Sequence, residues 1–567
     1  MIKYNISYKN PHRHFIDFKL TTSTNGKEKI QFQLPAWRPG RYELADFAQN
    51  IHKWQAYNKK GESLSFKKVT KDLWEVNCKD EKEITIEYSF YANQLDAGAC
   101  YLDEIQLYIN PVHCMYYIID RLDEKYEIHI DIPNDYKIAT SLAKENKIIT
   151  AKNYDDLAES PIICSNTIQH DSYKVTGITF NLWFQGPCTP DWNKIKEDFA
   201  LFTSAQITHF GSFPVDEYHF FFQITPYSSY HGVEHTKNTV ILLGPGNEIM
   251  NKKYNSFLHI SSHELYHTWN IKSIRPIEML PYDYTKENYF RTGYVAEGVT
   301  TYMGDLMLYK SKVINWEKFI ATQNQNLERH LMNYGRFNLS VAESGFDSWL
   351  DGYKLGAPNR KVSIYADGAL CMLMIDLQIL INTDGTKSLN SVMKQLYVEY
   401  GKKGKGYSEN DFINICIDLG GKEIKDIFND HVYDTKNYIP TLERKLNAIG
   451  LELEEKKNPN ICAQFFGFVA IKENNKIIIK KVEPNSASDI AEFVPDDEIT
   501  QINGKNISGS ITDIIGNCEE HTNFTLKKKF SEKKINLKKG NYYKLLEIKK
   551  SKKQTQKEKD LLKAWCN

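Results

Sequence analysis

Alternation of apolar and polar residues dominates the first third of the chain. Residues 4–8, 15–20, 30–34 and 84–88 largely alternate, the period-two signature of half-buried strands. Short Asn, Gly and Lys turns separate several of them. Residues 1–172 therefore read as an N-terminal antiparallel β domain of sandwich type. One stretch breaks the pattern: Leu34-Pro35-Ala36-Trp37-Arg38-Pro39-Gly40-Arg41-Tyr42-Glu43-Leu44. Two Pro and one Gly around a Trp describe a rigid loop, as well suited to a packed corner as to a direct functional role.

From 173 to 452 the period lengthens. A helix is predicted over 191–209, with Asp191 as N-cap. An apolar strand follows at 218–224, a loop at 227–235, and a strand at 239–243 closed by Gly244-Pro245-Gly246. A helix through 257–269 and a second near 294–309 come next. Further helices are predicted over 316–334, 365–381, 388–400 and 408–419; in the last, Phe412, Ile415, Cys416 and Leu419 make one apolar face. Strands return in 453–567, at 477–482 and 497–504, with a short helix at 485–492 between them. The lysine-rich tail at 549–559 reads as a solvated helix or frayed end without a function.

Composition bounds the function. A chain of 567 residues exceeds one core and implies about three domains. With 72 basic and 72 acidic residues there is no general attraction to nucleic acid or anionic lipid. The ten Cys form no C-x-x-C and read as free thiols of a reducing compartment. The N-terminus lacks an apolar signal core, and the most apolar run, 368–381, is too short for a bilayer and contains Asp376. The expectation is a cytoplasmic chain with no membrane or nucleic-acid partner.

The chemistry concentrates in Ser261-Ser262-His263-Glu264-Leu265-Tyr266-His267-Thr268-Trp269-Asn270. On a helix, His263 and His267 share a face and can point at one metal ion, with Glu264 beside it as a base for water. The bland alternative is a surface helix with two solvated histidines. A metzincin would continue with Gly at 270 and His at 273, where Asn270 and Ser273 stand. Glu297, amid small and apolar neighbours thirty residues after His267, is the candidate third ligand; two His and one Glu form a known catalytic zinc set.

At this point the chain resembles the glycyl aminopeptidase family of gluzincin metallopeptidases. The resemblance rests on four ordered motifs: 263–276, Glu297-Gly298-Val299-Thr300-Thr301-Tyr302, Leu34-Pro35-Ala36-Trp37-Arg38-Pro39-Gly40 and Tyr365-Ala366-Asp367-Gly368-Ala369-Leu370. It implies a multidomain α+β protein: the β domain, a thermolysin-like catalytic domain with a helical part, and a C-terminal PDZ-like domain. It implies one Zn(2+) per chain on His263, His267 and Glu297, with Glu264 as general base. Tyr365 would support the oxyanion, although Asp367 replaces the Lys of the Y-x-K-G context. Gly232 and Glu234 resemble the loop that binds the free α-amine, although His231 replaces a Gly. His231 and His235 read as ordinary loop residues.

The expected substrate is a peptide with a free N-terminus, trimmed of Gly or Ala. Phe465-Phe466-Gly467-Phe468 would be a carboxylate-binding loop for a peptide C-terminus. The alternatives are a PDZ-guided zinc endopeptidase, and a non-catalytic peptide-binding protein with a vestigial zinc site.

Overall fold

The computed structural model describes residues 1–352, 354, 356–507 and 520–566. The N-terminal part is built on a seven-stranded sheet in the order Ala143–Glu145, Ile148–Ala151, Tyr126–Ile130, Ile2–Ser7, Phe15–Ser23, Glu83–Tyr91, Ile51–Asn58. Two four-stranded sheets accompany it. Alternate residues of Ile2–Ser7 are buried, as the period-two pattern demands. The sheet is not wholly antiparallel: Ile2–Ser7 pairs in parallel with Tyr126–Ile130. A partner more than a hundred residues away leaves no local trace of its direction.

The part expected to be catalytic rests on a five-stranded sheet in the order Gln169–Val175, Ile178–Gln185, Glu217–Ile224, Asn238–Gly244, Ser229–Glu234. The three middle strands are parallel and almost wholly buried, which is why they read as continuous apolar runs. The predicted loop at 227–235 is instead the edge strand Ser229–Glu234, antiparallel to Asn238–Gly244. Helices Trp192–Phe210, Tyr254–Tyr266 and Thr300–Lys310 cover one face. Asp191 caps the first, accepting from the Lys194 N–H at 3.2 Å. The long helix Ala366–Asn382 is buried on nearly every side.

The domains share cores. Ala97, Tyr108 and Ile163 of the N-terminal part pack against Phe221, Val233, Val240 and Leu242 of the catalytic sheet. Trp37 is fully buried, donates to the Asp283 carbonyl at 2.7 Å and meets Trp349 edge-on. The rigid loop at 34–44 thus docks on the catalytic part.

The C-terminal sheet runs Phe468–Glu473, Lys476–Val482, Glu498–Ile502, His521–Lys527, Glu532–Lys538. Phe465 and Phe466 do not form an open loop: they end helix Ile461–Phe466, and Gly467 (φ +79°) caps it. Its N–H donates to the carbonyls of Cys462 and Ala463, both at 3.1 Å. The tail is not a solvated appendage either. Leu545–Lys550 pairs with Leu451–Lys456, and helix Gln556–Cys566 buries Leu561, Leu562 and Trp565 in the catalytic core. Its lysines face water, and they dominate the local composition. The nine described cysteines are free thiols; Cys518 lies outside the described residues. Among the described residues no helix is long and apolar enough to cross a membrane.

Candidate active site

Helix Tyr254–Tyr266 delivers His263, and His267 follows at its C-cap, still in helical geometry. One turn apart, the two imidazoles present Nε2 atoms 3.0 Å from each other. The return element begins with a π-helical turn, Tyr294–Val299, that carries Glu297 and continues as Thr300–Lys310. Such turns widen a helix locally and recur at functional sites. Glu297 Oε2 lies 3.6 Å from His263 Nε2 and 3.4 Å from His267 Nε2.

Small residues let the elements approach. A Cβ on Gly304 would lie 3.1 Å from the His263 Cα, and one on Gly298 would lie 2.6 Å from the Gly368 backbone. Asn270 joins the two halves: its Nδ2 donates to Val295 O at 2.9 Å, while its own carbonyl accepts from His267 Nδ1 at 2.7 Å. That bond keeps a proton on His267 Nδ1, so Nε2 is the nitrogen that would meet a cation at the cluster.

The donor set fits a tetrahedral divalent cation. Metal–ligand bonds of about 2.1 Å give ligand–ligand edges of about 3.4 Å, close to the three separations here. Glu297 Oε2 is buried without a hydrogen-bond partner. Burial works against its ionisation, but the His267 charge and the two imidazole hydrogen bonds hold it down to about 2. His267 is carried up to about 9 against its own desolvation, chiefly by Glu297 and then Glu234. His263 is lowered, first by burial. Glu264 is pushed up to about 8 by burial and by the Glu234 and Glu297 carboxylates, with His267 opposing. Buried carboxylates crowded against two imidazoles favour a cation at this cluster.

His263, Glu264, His267, Glu297, Tyr365, Gly232 and Glu234 all line one cleft of about 640 Å³. A Cβ on Gly232 would sit 2.0 Å from Glu264 Oε1, so the edge strand lies directly against that carboxylate. Glu234 ends the strand, 3% exposed, with Oε1 unpartnered. One oxygen each of Glu234 and Glu264 and one nitrogen of His267 lie within 4.8 Å of one another. Tyr365 stands at the start of helix Ala366–Asn382, its ring centroid 6.3 Å from that of His263. Asp367, where the related pattern has Lys, is buried and accepts from His330 Nδ1 at 2.6 Å. His235 Nδ1 lies 3.5 Å from Glu159 Oε2.

Sequence reasoning misses several walls of the cleft. Gly40, at φ +84°, is set against Glu234: a Cβ there would meet Oε2 at 2.5 Å. His231 pairs with Asp96 of the N-terminal part at 2.6 Å, and His259 with Asp305 at 2.6 Å. Only the Pro-Gly composition of the 34–44 loop signalled any of this; the others arrive by tertiary packing.

This fold and donor set describe a metallopeptidase. Residues 3–166 match the Peptidase M61 N-terminal domain and residues 256–371 match M61 glycyl aminopeptidase. The chain thus carries the N-terminal and the glycyl aminopeptidase domains of the M61 peptidases. The crystal structure of an aminopeptidase N family protein from Idiomarina loihiensis superposes with a TM-score of 0.92 at 25% identity, covering 100% of both chains. A zinc metallopeptidase of the M1 class from Deinococcus radiodurans, bound to a Tyr-Ser-Ala substrate, overlaps more loosely, with a TM-score of 0.47 at 12% identity over 77% of this chain and 94% of that one. A search of curated proteins returned no match.

Proposed function

We propose that this peptidase is a zinc-dependent aminopeptidase that removes small N-terminal residues, Gly or Ala, from peptides. His263, His267 and Glu297 would hold the zinc. When bound, zinc polarises a carbonyl and acidifies a water molecule. Glu264 then accepts the water's proton and returns it to the leaving amine. The Tyr365 hydroxyl donates to the oxygen on which negative charge develops. Glu234 pairs with the substrate α-ammonium, and the strand Ser229–Glu234 offers its edge to the peptide backbone.

One observation carries the exopeptidase reading: the unpartnered carboxylate oxygen of Glu234, buried beside Glu264 with Gly40 closed against it. A buried anion at a blocked end calls for a cation there, and a peptide N-terminus supplies one. Gly or Ala preference is supported by the family resemblance and by the closeness of the Gly40 loop. The C-terminal sheet is best read as a packing module, because the Gly467 amide is already spent on the helix end. The free thiols fit a reducing compartment.

The test compares Ala- and Gly-anilides with their N-acetylated forms. The free amines are expected to be cleaved and the blocked forms spared; equal turnover would sink the exopeptidase reading. Chelation should stop turnover and zinc restore it. Glu264→Gln should retain zinc by metal analysis while kcat falls by about 10²–10⁴-fold, the usual worth of a general base.

A further inference from the structure

Beyond the metal ligands the cleft continues in a direction that the proposed chemistry leaves unused. Ser256 and His259 line it on the same helix as His263, and Asp305 lines it on the helix after Glu297. Seven helical residues separate Ser256 from His263, an axial run of about 10 Å. An extended peptide covers that in about three residues.

The edge strand gives the direction. Glu234 stands at the metal end, and Tyr230, four residues earlier, is about 13 Å away along an extended strand. The Tyr230 hydroxyl lies within electrostatic reach of Asp305 and Arg329. Substrate residues after the scissile bond therefore run toward Arg329.

Arg329 lines the cleft from helix Trp316–Leu331 and forms no ion pair with any described residue. Asp305, the acid on the neighbouring wall, is occupied by His259. Lys481, on the C-terminal strand Lys476–Val482, also lacks an ion-pair partner among the described residues; its ammonium reaches the Met332 carbonyl at 3.5 Å. Its pKa is held down by desolvation and then by the Arg329 charge. The C-terminal sheet thus brings a second exposed cation into electrostatic reach of Arg329.

We propose that Arg329, with Lys481 beside it, receives the carboxylate of the substrate's primed side, making the enzyme selective for peptides of about three or four residues with a free C-terminus. This rests on the aminopeptidase reading of the same site. The test measures kcat/KM for Ala-Gly-Gly and Ala-Gly-Gly-Gly as free acids and as C-terminal amides. An acid preference of about tenfold, expressed in KM, is expected, as for a partly solvated charge-assisted hydrogen bond. Arg329→Gln should bring the ratio close to one, and Lys481→Gln should lower it by a smaller factor.

Equal rates on acid and amide in the unaltered enzyme, or an undiminished ratio in Arg329→Gln, would overturn the assignment. Amides ending in Glu or Gln identify the source of the carboxylate. A preference for Glu without a preference for the free acid would move recognition to a side chain and end the claim of C-terminal selectivity. Failure to cleave Ala-anilide at all would instead bring down the aminopeptidase reading.

Discussion

Trp565→Ala removes the ring that ties the last helix to the catalytic core. Trp565 is 1% exposed, with its ring centroid 5.4 Å from that of Phe319 and 6.2 Å from that of Trp316. Its indole N–H donates to the Tyr302 hydroxyl at 2.7 Å, and that hydroxyl in turn donates to buried Asp376. Truncating a buried Trp costs about 3–5 kcal/mol. Losing the indole donor adds about 1 kcal/mol. A total of about 4–6 kcal/mol approaches the whole stability of many domains, about 5–15 kcal/mol. Trp565→Phe keeps most of the ring and loses the donor, so it should cost about 1–2 kcal/mol. Urea titration followed by circular dichroism, with peptidase activity read in parallel, measures both. Activity and helicity of the Ala variant should be lost together at a lower urea midpoint, because Tyr302 belongs to the helix that follows Glu297. A loss below about 1 kcal/mol, the range of surface substitutions, would show the tail helix to be dispensable.

Gly232→Ala should separate catalysis from stability. The added Cβ would meet the free end of the Glu264 side chain at 2.0 Å, which can swing aside cheaply, so the urea midpoint should hardly move. Displacing that carboxylate by about 1 Å should lower kcat by about 10²-fold while zinc stays bound; unchanged kcat would refute the close approach. Glu159→Gln tests a buried pair near Glu234, where Lys272 Nζ lies 2.9 Å from Glu159 Oε1. Burial alone would raise the Glu159 pKa, but the Lys272 charge and the His235 hydrogen bond outweigh it and hold the carboxyl far below its ordinary 4.5. The folded state therefore releases this proton more readily than the unfolded chain. The resulting stability is present above pH 4.5 and lost as the pH falls from there through the folded value. The variant should lose about 3–5 kcal/mol at neutral pH, because it leaves Lys272 buried without a counter-charge. Its urea midpoint should also fall less steeply on acidification; parallel curves for the two proteins would contradict the assignment.

What is legible in the sequence follows from where each signal lives. Helices Trp316–Leu331 and Ala366–Asn382 show themselves because their signals are local: burial repeats within a few residues in the first, and an apolar run outlasts any strand in the second. His263, Glu264, His267 and Glu297 are legible for the same reason: a helical turn fixes the first three, and one loop and a return helix bring the fourth. The edge strand Ser229–Glu234 is half-exposed, carries a Gly and bonds on one side only, so its local pattern resembles a loop. The parallel partner of Ile2–Ser7 lies beyond any local window.

The ends of the cleft are hidden for a deeper reason. Gly40 reaches Glu234 only because Trp37 anchors its loop on the catalytic part, and Lys481 approaches Arg329 only because the C-terminal sheet docks beside helix Trp316–Leu331. A motif fixes the reaction, whereas domain docking fixes the room on either side of it. Substrate length in this architecture is then a property of the interfaces. A substitution that shifts the C-terminal sheet without touching Arg329 should alter preference between short and long peptides while leaving the hydrolysis of Ala-anilide, which does not extend that far, unaffected.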